Sequence, residues 1–77
     1  MKLVEAIGER VKKLITEKGM TLYQMQMAGG APRSTVSDVI LVKKKRVSTD
    51  TVYQICVVLG ITLKDFFDDP IFDEVSD

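Results

Sequence analysis

The side chains best suited to chemistry in this sequence lie between residues 21 and 46. Arg33 and Ser34 directly follow Pro32, and Ser37 and Asp38 come about one helical turn later. A guanidinium can donate to both O6 and N7 of guanine, a serine hydroxyl is a short adaptable partner, and a carboxylate accepts from cytosine N4. Asp38 has a second reading, as an electrostatic buffer at the same spot. Lys43, Lys44, Lys45 and Arg46 form the densest run of charge in the chain. Adjacent cations repel, so the run suits a phosphate backbone, with a solubilising loop as the plain alternative. Thr21 and Tyr23, beside amides that open a helix, suit a further phosphate, because helix N-termini attract anions.

Other chemistry has little support. The chain has no histidine and one cysteine, Cys56, which removes the usual metal-ligand sets and any intramolecular disulfide. Cys56 shares a helical face with Val52, Ile55 and Leu59 and reads as a buried apolar residue. No nucleophile is paired with a base and no glycine loop is built to cradle phosphate. The chain therefore does not read as an enzyme and implies no cofactor, metal or small-molecule ligand.

These residues need a scaffold, and 77 residues allow one domain with one small core. The apolar fraction of 45% is ordinary, and no apolar run approaches the roughly 20 residues of a membrane span. The lone cysteine fits a reducing cytoplasm. Net charge is zero, yet residues 1–46 hold ten Lys/Arg against four Asp/Glu, while residues 47–77 hold one Lys against seven acids. Local potential, not net charge, steers a polyanion.

Helix starts recur as an apolar residue, a hydroxyl, and a second apolar residue four positions on: Met20-Thr21…Met25, Val47-Ser48…Val52 and Ile61-Thr62…Phe66. The hydroxyl accepts from unsatisfied amides of the first turn, and the apolar pair forms a hydrophobic staple. Gln24 and, more loosely, Asp65 complete capping boxes with Thr21 and Thr62. Ala31-Pro32…Val36 has the same spacing, with Pro32 where a missing N–H costs nothing. With the opening helix this predicts an all-α fold of five short helices, at about 2–18, 22–28, 33–41, 49–59 and 63–68. Gly19, Gly60 and Pro70 are the expected stops, and the opening helix should bury Leu3, Ile7, Val11, Leu14 and Ile15. The second and third helices meet at Gly29-Gly30, the arrangement that presents a helix to a DNA major groove, with Val36 and Val39 facing the core. Residues 1–69 form the expected domain and 70–77 a short acidic tail.

From about Ile7 to Phe67 the chain resembles the phage repressor/Cro-type helix-turn-helix regulators, also called the xenobiotic-response-element family. The motif falls on Thr21, Leu22, Met25, Gly30, Ala31, Ser34, Thr35, Val36 and Ser37, then on Ser48, Thr51, Ile55, Leu59, Gly60, Ile61, Leu63 and Phe66. Departures are Gln26 for a small residue, Leu41 and Val42 for the Asn-Gly that ends the third helix, and Val47 for a common Pro. The resemblance implies a lambda-repressor-like domain with the helix-turn-helix at its second and third helices. It implies base contacts from Arg33, Ser34, Ser37 and Asp38, and phosphate contacts from Thr21, Tyr23, Lys43, Lys45 and Arg46. It also implies double-stranded DNA as partner, a homodimer on an inverted repeat, and a place at a bacterial or phage nucleoid. Phe67, Ile71, Phe72 and Val75 lie in an end rich in acids and are the expected dimer interface, or else a cap on the core. An antitoxin or adaptor whose main partner is another protein is the alternative function.

Overall fold

In the computed structural model, which describes residues 1–21, 23, 24, 27, 39, 41 and 46–76, the chain opens with helix α1, Leu3–Glu17. The Glu5 carboxylate accepts from the Lys2 amide at 2.9 Å, placing an acid at the positive end of the helix dipole. Ala6, Ile7, Val11, Leu14 and Ile15 are buried along one stripe. Leu3, expected in that stripe, is instead 42% exposed, because the core begins a turn further on.

Gly19 ends α1 in the left-handed region, with φ 67. The Met20 amide bonds the Ile15 carbonyl at 3.0 Å and the Gly19 amide bonds the Thr16 carbonyl at 3.1 Å, a Schellman ending that satisfies two orphan carbonyls. Helix α2, Thr49–Leu59, starts where Ser48 Oγ accepts from the Thr51 amide at 3.1 Å. Its buried residues are Val52, Ile55, Cys56 and Leu59, as their spacing predicts. It closes as α1 does: Gly60 has φ 71, and the Ile61 amide bonds the Cys56 carbonyl at 3.0 Å. Thr62 then opens α3, Leu63–Phe67, with its hydroxyl accepting from the Asp65 amide at 3.0 Å.

Pro70 is the expected stop, and the chain restarts on it as a 3-10 helix, η1, Pro70–Glu74. Asp69 Oδ1 accepts from the Ile71 amide at 2.9 Å and caps this turn, and Pro at its first position gives up no bond. Residues 70–76, expected as an acidic tail, run back along the start of α1. The Ser76 amide bonds the Met1 carbonyl at 3.0 Å, and the Met1 amine donates to the Glu74 carbonyl at 3.3 Å.

One cluster holds the elements together: Ile7, Val11, Leu14 and Ile15 of α1, Val39, the four buried residues of α2, and Phe66 of α3. Met20, Val47, Val58, Ile61, Leu63 and Phe72 pack against it. No helix of the described residues is long and apolar enough to cross a membrane.

The five-helix expectation is corrected: the described residues carry three α-helices, two of them of substantial length. The expected helices at about 22–28 and 33–41 fall largely outside the described residues. Five was a count of start signals, and a cap fixes only where a helix opens. How far it runs depends on the apolar face it buries, and the well-capped start at Thr62 opens a helix of only five residues.

Candidate nucleic-acid interface

Two lead-ins carry the described candidates. At the first, Met20 turns toward the core behind Gly19, leaving Thr21 exposed. Thr21 Oγ1 accepts from the Gln24 amide at 3.1 Å, and Gln24 Oε1 accepts from the Thr21 amide at 2.9 Å, the reciprocal capping box its sequence predicts. Because the hydroxyl oxygen is the acceptor, its hydrogen can still be donated to a phosphate oxygen. Tyr23 is 61% exposed on the same turn. At the second lead-in Arg46 is exposed and Val47 packs inward ahead of Ser48. Met20 and Val47 thus anchor both lead-ins to one core, and Thr21 and Arg46 flank those anchors.

Arg33, Ser34, Ser37, Asp38, Lys43 and Lys45 lie outside the described residues. Val39, expected on the core side of the same segment, is buried. Of the residues expected at a dimer interface, Phe67 is 42% exposed, while Ile71, Phe72 and Val75 are half-buried. Phe72 packs against the core, and the Phe67 ring lies 5.0 Å from both the Phe66 and Phe72 rings.

Sequence reasoning missed the polar joint between α1 and the acidic end. Arg10 is 8% exposed. Its Nε donates to the Phe66 carbonyl at 2.7 Å, Nη2 to the Asp65 carbonyl at 2.9 Å and Nη1 to Asp69 Oδ2 at 3.1 Å. Lys13 Nζ reaches the same Asp69 oxygen at 2.8 Å. The Lys13 ammonium, then the Ile71 amide and the Arg10 guanidinium hold the Asp69 carboxyl below its ordinary range. One signal was available: Arg10 stands three residues after Ile7 and four before Leu14, on the apolar face, where a cation needs acceptors. Cys56 is fully buried, and burial pushes its thiol pKa up, which leaves it unreactive.

The described residues form a helical core that fixes two capped lead-ins. Residues 10–70 match the Cro/C1-type HTH DNA-binding domain, and the chain belongs to that family. Among solved structures it is similar to the crystal structure of the prophage Lp1 protein 11, with a TM-score of 0.81 and 34% identity over 97% of this chain and 100% of that one. No curated protein matches it.

Proposed function

We propose that the protein is a sequence-specific transcriptional regulator, a repressor or Cro-like switch protein, that binds an inverted repeat as a homodimer. Membership of the Cro/C1-type family over residues 10–70 carries this reading. The capping box at Thr21 and Gln24 supports it, since it sits where the family's motif begins. In the proposed complex the segment at about 33–41 enters the major groove. Arg33, Ser34, Ser37 and Asp38 read base edges there. Thr21, Tyr23, Lys43, Lys45 and Arg46 hold phosphates and set the register. A second copy, paired through the surface around Phe67, Ile71, Phe72 and Val75, reads the other half-site about 34 Å away. The protein, bacterial or phage in origin, acts in the cytoplasm at the nucleoid.

A second reading, an antitoxin or adaptor with a protein as its main partner, draws on the exposed Tyr53 and Val57 of α2. Selection of bound sequences from random duplex DNA separates the two. A symmetric motif with a fixed half-site spacing is the expected result, and enrichment of no sequence overturns the regulator reading.

A further inference from the structure

Two cations lie on the core-facing stripe of α1, and only one of them has acceptors. Arg10 is buried and donates to three oxygens. Lys18 stands four residues after Leu14 and three after Ile15, where the same stripe runs past the core. Its backbone is still helical, φ -81 and ψ -4, and its amide bonds the Leu14 carbonyl at 3.0 Å, so it continues that face. Lys18 is exposed, and its ammonium has no partner among the described residues. The remaining cations within α1, Lys12 and Lys13, are held by Glu9 and Asp69. Glu17 is next to Lys18 in sequence, but successive residues of a helix do not face each other.

After Gly19 the chain turns onto the core at Met20, and Thr21, three residues after Lys18, opens the capping box with Gln24. The second lead-in repeats the pattern. Arg46, exposed and also without a partner among the described residues, directly precedes Val47, which packs on the same core. Each lead-in therefore carries one uncommitted cation beside its apolar anchor. A phosphate backbone suits cations placed in this way, since each phosphate they neutralise releases counterions. We propose that Lys18 is a further phosphate-contact residue, holding the DNA backbone at the Thr21 lead-in as Arg46 holds it at the other in the proposed complex. The inference rests on the DNA-binding reading and adds to it a residue that the helix-turn-helix motif does not mark.

Fluorescence anisotropy across a salt titration, on a selected operator and on a scrambled duplex, tests this with Lys18→Gln, Lys18→Arg and Lys2→Gln in the full chain. Lys2 is exposed at the other end of α1, about 24 Å away along the helix axis, so its variant should bind as wild type does. Lys18→Gln should weaken binding to both duplexes about fivefold or more at ~0.1 M salt. It should also lower the slope of log K against log salt by about 0.9 for each bound copy. Lys18→Arg should keep the wild-type slope. A cation at the end of α1 also suits the helix dipole. A lower melting temperature for Lys18→Gln with an unchanged slope leaves Lys18 that role alone and overturns the inference. Weakening on the operator but not on the scrambled duplex places Lys18 at a base edge and overturns it too, as does an equal change of slope in Lys2→Gln. A wild-type chain that binds neither duplex overturns both the inference and the DNA-binding reading.

Discussion

Arg10 joins three parts of the chain through one guanidinium: its own helix, the last carbonyls of α3 and the cap of η1. The Asp65 carbonyl also accepts from the Asp68 amide at 3.3 Å, but the Phe66 carbonyl depends on Arg10, so removing the side chain strands it with little access to water. Arg10→Met should therefore cost about 2–3 kcal/mol in chemical denaturation. Arg10→Lys should recover only part of that, since an ammonium is a point donor and does not reproduce a planar fork. Arg33 should behave in the opposite way under the proposed function. Arg33→Ala is expected to leave the melting temperature near wild type. It should lose about 1–3 kcal/mol of discrimination at one symmetric base pair, read by competition binding against single-base operator variants. Equal weakening on every duplex would reassign Arg33 to the phosphate backbone.

At the scale of elements, the turn after α1 and the turn after α2 are built alike. Gly19-Met20-Thr21 and Gly60-Ile61-Thr62 each place a left-handed glycine, an apolar residue against the core and a hydroxyl that caps the next turn of backbone. This much was legible in the sequence because every part is local: a glycine, a hydroxyl and an acceptor three residues on act within one turn. No atom lies within 4 Å of the Cβ position at Gly60, so its replacement meets only backbone strain. Gly60→Ala should cost about 1 kcal/mol and Gly60→Asn less, because Asn tolerates the left-handed region. Equal losses from both in thermal melts would point to packing instead. The restart at Pro70 was not legible, since a proline that ends one helix can also open another. For Phe72 the sequence left a dimer interface and a cap on the core both open, because its side chain is placed against the core by contacts with distant residues.

Across the whole molecule, charge is segregated in sequence but reconnected in space, where Lys13 and Arg10 of the basic half meet Asp69 of the acidic half. The folded chain holds the Asp69 carboxyl below the roughly 3.9 of an unfolded aspartate. Its contribution to stability is therefore fully present above about pH 4 and lost as pH falls through the lower folded value. Asp69→Asn should be less stable at neutral pH and lose less on acidification, and urea midpoints from pH 7 to 2 would show the two curves converging. Parallel curves would mean that Asp69 is not linked to folding. The same joint also bears on the order of events in folding. Arg10 bonds residues 55 to 59 positions further along the chain, whereas the caps close over three. The caps can form early, but closing so long a loop has an entropy cost repaid only once α3 and η1 stand in place. Arg10 then belongs to the late side of the barrier, and stopped-flow measurements on Arg10→Met should find unfolding accelerated far more than refolding is slowed.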